Sequence, residues 1–316
     1  MFPSKVGWEL GRKAIVLCLI ILVTVFLTNY SGSYIETMGK KREGNRELTP
    51  VLRLSTLEVC PGDYLVIYVE NVNRDDHIAL STGLLQNPPG FTHYKRGQVA
   101  LAAVNYRTAA GKYFLYISIS RKGQVVWEKR EMITVLPKKF LTQNLKVTRQ
   151  QQAIRNEKLW KEDSAFIEKA KSVSAPEPLW QGKFLQPVEG RISTEYGVIR
   201  YINNVESGRH AGIDIAARKG TPVKATNRGM VTLSMPLHLT GNTIIIDHGM
   251  DIFSAYSHLD RLLVKEGQLV EKGDIIGEIG STGFSTGPHL HWTISIGPVF
   301  TNPWRLLESD PLEWIK

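Results

Sequence analysis

The stretch GPHLHW (287–292) places two histidines one residue apart in a segment with the character of a β-strand. Side chains at positions i and i+2 of a strand leave the same face of a sheet, so His289 and His291 are predicted to point into the same space. Two imidazoles in one space favour a shared ligand. The alternative is a pair of partly solvated histidines on a sheet surface, and the rest of the sequence has to distinguish the two.

The surrounding region, residues 181–316, is predicted to be an antiparallel β domain. Glycines separate β-branched runs throughout it, as in GTPVKATNRGMV, GNTIIIDHG and DIFSAYSHLD. This region also holds most of the histidines of the chain. Six of the eight lie here: His210, His238, His248, His258, His289 and His291.

A metal-binding pattern appears in GRHAGIDIA, where His210 and Asp214 are four positions apart. That spacing puts both side chains on one face in a helix or in an extended strand, so it leaves the local structure open. One nitrogen from the HLH strand would complete a set of two histidines and one carboxylate. That set, with water in the fourth position, is typical of a catalytic zinc site.

The set leaves one histidine of HLH unassigned, and AYSHLD adds His258 on another strand. A hydrolytic zinc site needs a group that takes a proton from the attacking water and donors that hold the oxyanion. The chain contains no HExxH glutamate. His258 and the remaining HLH histidine are therefore the candidates, and a pKa near neutral would suit both.

Five motifs together resemble those of the lysostaphin/LytM-like zinc metalloendopeptidases, which cleave peptidoglycan cross-bridges. The motifs are HAGID, GTPVKATNRGMV, GNTIIIDHG, YSHL and STGFSTGPHLHW, in family order over about 184–305. The resemblance implies an antiparallel β core with the site in a groove between loops, and a metal-activated water that hydrolyses peptide cross-links. It implies that His210, Asp214 and His291 are the Zn²⁺ ligands. It also implies that His258 and His289 are the catalytic pair.

Two segments near these motifs carry weaker expectations. Asn242 lies where family members place a groove residue, although a substrate contact is the less favoured reading. EYGVIR (195–200) stands where an FG-type turn is more usual. We expect this departure to leave the metal site untouched.

Four further side chains are predicted to be structural. His248 in the DHG turn is expected to make turn hydrogen bonds, and a structural role is also favoured for His238. Tyr201 and Tyr256 are aromatic candidates for the groove, but core packing is the favoured reading for both.

The first half of the chain shows a different pattern. Short strands between 50 and 137 predict a small β-sandwich, with a hairpin at RKGQ. Residues 138–180 predict a mainly helical, solvent-facing connector that ends at two prolines. The layout resembles the β-sandwich and linker helix that precede the catalytic domain in some bacterial cell-wall hydrolases.

Charge is unevenly distributed along the chain. The net charge is +9, and residues 1–180 carry 26 Lys and Arg against 16 Asp and Glu, whereas residues 181–316 carry 13 against 14. A positive excess favours nucleic acid, anionic lipid or an anionic polymer such as a bacterial cell wall. No nucleic-acid-binding signature accompanies it, so we expect no nucleic-acid partner. Simple solvation of a surface is the alternative.

The N-terminus predicts export. Residues 14–28 read AIVLCLIILVTVFLT, and no charge appears from 14 to 35. We predict a cytoplasmic segment at 1–13, a transmembrane anchor at 14–35 and a linker at 36–49. The alternative is a cleaved signal peptide and a secreted protein. Either way, residues 36–316 are expected outside the cytoplasm.

The predicted fold class is therefore mostly β, with one transmembrane helix, a β-sandwich, a helical connector and an antiparallel β metallopeptidase domain. A biotinyl or lipoyl carrier is an alternative, because VKEGQLVEKGDIIGEIGS resembles such domains, but the matching NRGMV turn offers no lysine. A second alternative is an inactive wall-binding protein that activates another hydrolase. The complete His/Asp set favours the enzyme. The sequence leaves open whether a glycine bridge or a D-alanyl-diaminopimelate link is cleaved.

Overall fold

The computed structural model describes residues 48–85, 87–148 and 156–315. The predicted cytoplasmic segment, the predicted anchor at 14–35 and most of the linker after it lie outside the described residues. Within the described ranges, no helix has the length and apolar character needed to cross a membrane. The same ranges contain 21 strands and two helices, which confirms the prediction of a mostly β chain.

The first eight strands form two four-stranded sheets. In spatial order the sheets are β1-β3-β6-β5 and β2-β8-β7-β4, and their bounds are β1 Val51–Leu54, β2 Glu58–Val59, β3 Tyr64–Glu70, β4 His77–Thr82, β5 Thr92–Tyr94, β6 Gly97–Ala103, β7 Gly111–Arg121 and β8 Gln124–Val135. Leu65 and Ile67 of β3 share a buried cluster with Leu115 and Ile117 of β7, so the two sheets pack face to face. The RKGQ hairpin is present, and Lys122 and Gly123 both have the positive φ that a two-residue hairpin turn needs.

The remaining strands build a three-stranded and a ten-stranded sheet. Their bounds are β9 Thr142–Leu145, β10 Arg191–Thr194, β11 Ile199–Ile202, β12 Val205–Arg209, β13 Ile213–Ala216, β14 Pro222–Lys224, β15 Gly229–Leu237, β16 Gly241–Asp247, β17 Ile252–Leu262, β18 Leu269–Val270, β19 Ile275–Ile279, β20 His289–Ile296 and β21 Val299–Thr301. The small sheet has the order β12-β11-β9. The large sheet has the order β10-β13-β20-β17-β16-β15-β18, with β14, β19 and β21 attached at its sides. The two helices are α1 (Glu157–Ala170) and α2 (Trp304–Glu308).

Both faces of the large sheet are covered at β16, which explains the unbroken apolar run in GNTIIIDHG. Ile244 and Ile246 belong to the main buried cluster. Ile245, which leaves the opposite face, packs in a second cluster with Phe253 and with Ala170 of α1. This strand, which pairs with β17, is therefore fixed from two sides.

The sandwich and the C-terminal region share one buried core. Tyr68 and Leu101 of the first sheet lie in the same cluster as Trp292 and Tyr256 of the large sheet. Residues from Leu48 onward accordingly belong to one compact unit. The boundaries proposed between separate domains stay a prediction.

The connector between the two regions differs in part from its prediction as a solvent-facing helix. Residues 142–145 form strand β9 instead, because they pair in parallel with β11. Helix α1 is described from Glu157, and its N-cap Asn156 accepts a hydrogen bond of 2.9 Å from the backbone N–H of Leu159. The helix also has a buried side, since Asp163 is 4% exposed.

Candidate metal centre and active-site cleft

The three predicted zinc ligands come together at the start of two paired strands. His210 lies just before β13, and Asp214 lies within it. β13 pairs with β20 so that Asp214 is the direct cross-strand partner of His291. Direct partners place their side chains on the same face of a sheet. The backbone between His210 and Asp214 is not helical: it bends at Gly212 and enters β13 at Ile213, which resolves the choice that the spacing alone leaves open.

One glycine makes this arrangement possible. A Cβ on Gly212, between the two ligands of HAGID, would lie 2.1 Å from the backbone oxygen of Trp292. Only glycine therefore lets the chain pass this close to β20. The close approach brings His210 within reach of His291.

The ligand atoms of the three side chains lie at nearly equal distances from one another. The Nε2 atom of His210 is 2.9 Å from Oδ1 of Asp214 and 2.9 Å from Nδ1 of His291. The Nδ1 atom of His291 is 2.7 Å from the same Oδ1 atom. His210 is 1% exposed and Asp214 is 5% exposed. Two imidazole nitrogens and one carboxylate oxygen thus converge on one protected point.

The donor set fits a zinc ion. The Nδ1 atom of His210 is 2.8 Å from the backbone carbonyl of Glu195, which can only accept, so Nδ1 carries the proton and Nε2 offers its lone pair. Imidazole nitrogen and carboxylate oxygen are ligands that zinc binds at about 2.0–2.2 Å. Ligands around tetrahedral zinc are about 3.3 Å apart, so the side chains need to separate by about half an ångström.

An arginine also contacts the carboxylate of this site. The Nη2 atom of Arg200 is 2.6 Å from Oδ2 of Asp214, while Oδ1 faces the two histidines. The expectation that EYGVIR (195–200) leaves the metal site untouched is therefore wrong. The physical reason is the β11–β12 hairpin, which folds the segment back so that Ile199 pairs with Arg209, next to His210. In the sequence, the only indication of this contact is a basic residue shortly before HAGID.

The charge states of the ligands follow from this packing. Burial raises the pKa of Asp214, but the adjacent imidazoles of His210 and His291 outweigh it and hold this pKa far below its usual range. Burial lowers the pKa of His210 to about 4. At neutral pH the carboxylate is therefore ionised and the imidazole of His210 is neutral, which are the forms that bind a metal.

His258 reaches the site through an irregularity in β17. Its φ is 63°, in the left-handed region that non-glycine residues rarely adopt. The pairing of β17 with β16 shifts register between Asn242 and Ile244, opposite this point. The backbone N–H of His258 donates to the carbonyl of Thr240 at 2.8 Å. The bulge turns the imidazole toward the ligands, as bulges next to functional sites often do.

His289 lies beside His258 in the same space. The two ring centroids are 4.9 Å apart. The Nδ1 atoms of His258 and His289 each lie 2.8 Å from a backbone carbonyl, of Thr282 and Gly287 respectively. Each neutral ring therefore keeps the lone pair of its Nε2 for a group in the cleft. His289 and His291 line the same cleft, as the HLH spacing predicts.

The pKa of His258 differs from the near-neutral value expected from its role. Burial, followed by the nearby imidazoles of His291 and His289, lowers it to about 3. The ring is 7% exposed, so water cannot stabilise its charged form. His258 is neutral across the physiological pH range and can accept a hydrogen bond or a proton.

The five residues surround a cleft of about 380 Å³. His210 is enclosed behind the cleft, and the other four line it. Two lining residues, Gln143 and Leu145, come from β9, and nothing in TQNL marks them in the sequence. The full lining is Gln143, Leu145, Ser193, Thr194, Arg200, Asp214, Ala216, Leu239, Thr240, His258, Phe284, Ser285, Thr286, Gly287, Pro288, His289 and His291.

Three other groove candidates lie elsewhere among the described residues. The side-chain amide of Asn242 donates to the backbone carbonyl of Asp260 at 3.0 Å. Tyr256 is fully buried in the core, and its hydroxyl accepts from the backbone N–H of Thr226. Tyr201 lies in β11 and is not among the described residues that line the cleft. The placements of Asn242 and Tyr256 agree with their predicted structural roles, whereas core packing of Tyr201 stays a prediction.

The two remaining histidines of the region lie outside the site. His248 donates from Nδ1 to the carbonyl of Arg228 at 2.8 Å, and its Nε2 is 2.7 Å from the hydroxyl of Ser254. It therefore has the predicted hydrogen-bonding role in the DHG turn. His238 is half exposed, with Nε2 3.3 Å from a carboxylate oxygen of Glu162.

Comparison with known proteins gives this region a family. Residues 208–303 match the model of peptidase family M23. The chain is 40% identical over 94 residues to a peptidoglycan DD-endopeptidase, ShyC, of Vibrio cholerae, covering 30% of this chain and 22% of that protein. It is 43% identical over 94 residues to a DD-carboxypeptidase/endopeptidase, Mpg, of Neisseria meningitidis, with the same coverage. The chain thus spans about a fifth of the length of these curated relatives.

The wider architecture resembles a crystal structure described as a putative peptidase M23 from Pseudomonas aeruginosa. The TM-score is 0.57 at 23% identity, and the match covers 78% of this chain and 94% of that one. At this identity the similarity concerns the fold alone, and it extends well beyond the matched family region. The motifs of the sequence, the converging ligands and the family match agree: the C-terminal region of this chain is a peptidase family M23 domain.

Proposed function

We propose that the chain is a zinc-dependent endopeptidase that hydrolyses peptide cross-links of bacterial peptidoglycan. The observation that carries the proposal is the convergence of His210, Asp214 and His291 on one point. Two further histidines, His258 and His289, line the same cleft. The Vibrio cholerae relative is described as a peptidoglycan DD-endopeptidase, which supports peptidoglycan as the substrate.

His210, Asp214 and His291 would hold the zinc ion. When bound, zinc supplies Lewis-acid chemistry that polarises a carbonyl and lowers the pKa of water. The protein residues prepare this site: the carbonyl of Glu195 orients His210, and Arg200 binds the outer oxygen of Asp214. Such contacts fix the direction and the protonation state of each ligand.

His258 and His289 would transfer protons and stabilise the charge that develops next to the scissile bond. A neutral Nε2 atom can accept the proton of an attacking water and later give it to the leaving amine. An imidazole that has taken up a proton on Nε2 can donate it in a hydrogen bond to the oxygen of the tetrahedral intermediate. Because the two rings are 4.9 Å apart, one substrate carbonyl can reach both.

The bond proposed for cleavage is the link between two D-amino acids in adjacent peptides. The names of the relatives support this choice over a glycine bridge. The chain is proposed to act outside the cytoplasm, held at the membrane by residues 14–35 or secreted after their removal. The positive excess of residues 1–180 supports contact with anionic wall polymer.

The proposal is tested by zinc content and hydrolysis measured on the same preparations of the full chain. We expect stoichiometric zinc and a loss of cross-linked dimers from purified peptidoglycan, measured after its glycan strands are digested with a muramidase. His291→Ala should lose both, whereas His258→Ala should keep the zinc and lose hydrolysis. A folded wild-type chain without zinc or hydrolysis would support the alternative of an inactive activator, and a fully active His258→Ala variant would remove the proton-transfer role.

A further inference from the structure

The connector (138–180) contacts the walls of the cleft through two of its described parts, strand β9 and helix α1. It lies outside the region matched by the M23 family model, which begins at residue 208. Strand β9 stands on one side of the cleft, and helix α1 stands behind the other. The connector therefore helps to form the site and does not merely link the sandwich to the C-terminal region.

Strand β9 forms one wall. It runs parallel to β11, with Gln143 beside Arg200 and Leu145 beside Ile202. Hydrogen bonds hold it at both ends, from Ile199 N to Leu141 O at 2.8 Å and from Asn203 N to Leu145 O at 2.9 Å. Gln143 and Leu145 are the less exposed residues of the strand, and both line the cleft.

Two polar atoms of this wall have no partner among the described residues. They are the amide oxygen of Gln143 and the Nε atom of Arg200, which sit on neighbouring strands. One is an acceptor and the other is a donor. Leaving such atoms unpaired costs free energy. Both atoms are buried, so a bound peptide pairs with them only if the two side chains turn toward the cleft, which both residues line.

Helix α1 supports the opposite wall through Asp163. One carboxylate oxygen accepts from the backbone N–H of His238 at 2.9 Å, and the other accepts from that of Leu239 at 2.7 Å. Asp163 is 4% exposed on a helix whose neighbouring residues are largely solvated. A carboxylate buried in this way is stable because both of its oxygens are hydrogen-bonded.

The loop held by Asp163 continues directly to the catalytic side chains. The carbonyl of Leu239 accepts from the backbone N–H of Phe284 at 2.7 Å, and the carbonyl of Thr240 accepts from that of His258 at 2.8 Å. Leu239, Thr240 and Phe284 all line the cleft. Two hydrogen bonds and the covalent link between Leu239 and Thr240 therefore connect Asp163 to the backbone of His258.

We propose that the connector is part of the substrate site: Gln143 and Leu145 contact the bound peptide, and Asp163 is a positioning residue for His258. The occupant is an extended peptide, whose backbone can pair with the unpartnered polar atoms of the β9 wall. This inference rests on the proposed function for its substrate class. It assigns substrate contacts to a strand that the peptidase family match does not include.

The test uses the full chain in two arms. The first arm measures kcat, KM and zinc content with a cross-linked muropeptide for Asp163→Asn and for the control Glu168→Gln on the exposed side of the same helix. Asn keeps one acceptor but turns an N–H₂ toward a backbone N–H, so kcat should fall about tenfold or more with zinc retained. If Asp163→Asn does not fold, Asp163→Glu, which keeps the charge but shifts the loop, carries the same expectation. Unchanged kcat in a folded variant overturns the positioning role.

The second arm measures binding of the same muropeptide to the chelator-treated chain by calorimetry. Gln143→Ala and Leu145→Ala should each weaken binding several-fold, whereas Thr142→Ala, on the other face of β9, should not. If Gln143→Ala and Leu145→Ala bind the muropeptide as the wild type does, the proposed substrate contact is overturned. Tighter binding by these variants also overturns it, because β9 would then cover the cleft and hinder the peptide. A wild-type chain that binds but does not cleave refutes the proposed function alone. A chain that neither binds nor cleaves refutes both.

Discussion

Replacing His248 by glutamine is expected to reduce, by a defined amount, the free energy of unfolding that the protein loses on acidification. Burial lowers the pKa of this imidazole to about 4, compared with about 6.5 in an unfolded chain. The neutral ring donates to the carbonyl of Arg228, so its Nε2 accepts from the hydroxyl of Ser254. A second proton would break the latter bond and place a charge in the core.

The sign and size of the effect follow from these two pKa values. Below about pH 6.5 the unfolded chain takes up a proton that the folded chain does not, so the free energy of unfolding falls as the pH falls. The stabilisation is fully present above that pH. The loss reaches about 2 kcal/mol at pH 5 and approaches about 3 kcal/mol near pH 4.

The assay is urea unfolding of the chelator-treated chain between pH 7.5 and 5, which keeps zinc release out of the comparison. We expect His248→Gln to be less stable than the wild type at pH 7.5 but to lose about 2 kcal/mol less on acidification. His238→Gln, a change at a half-exposed ring, serves as the control and should keep the wild-type slope. Equal slopes for His248→Gln and the wild type would refute the account of the buried ring.

Two substitutions near the metal site make further predictions. Arg200→Ala should weaken zinc affinity about 10- to 100-fold, because Asp214 loses the partner of its outer oxygen. Competition with a chelator measures this affinity, with the exposed Arg218→Ala as the control. Equal zinc affinities of the two variants would contradict the role of Arg200. Gly212→Ala should cost about 1–3 kcal/mol of stability and lower zinc content, because its Cβ would lie 2.1 Å from a backbone oxygen of β20. Thermal melting and elemental analysis check this against Gly83→Ala, where the added carbon meets nothing within 4 Å; a neutral Gly212→Ala would show that the two strands can separate freely.

The sequence predicts the parts of the site that depend on local periodicity. Only the resemblance to a known family places Asp214 beside the HLH histidines, but the alternation of a strand brings His289 and His291 into one space. The mostly β fold follows in the same way from short β-branched runs separated by glycines. These features need only the identity and spacing of neighbouring residues.

Other parts of the site depend on long-range pairing and could not be predicted. Strand β9 forms because TQNL meets β11 from a distant part of the chain, and local propensity does not report such contacts. The contact of Arg200 with Asp214 depends on the fold of the β11–β12 hairpin. The left-handed backbone of His258 and the low pKa of its buried ring are likewise products of tertiary packing.

The most direct test of the central claim is mass spectrometry of muropeptides after purified peptidoglycan is treated with the zinc-loaded full chain. We predict that cross-linked dimers decrease and monomers increase through cleavage between D-amino acids, and that Asp214→Ala leaves the dimers intact. A dimer fraction unchanged by a folded, zinc-loaded wild-type chain would contradict the claim that this M23 domain is a peptidoglycan endopeptidase.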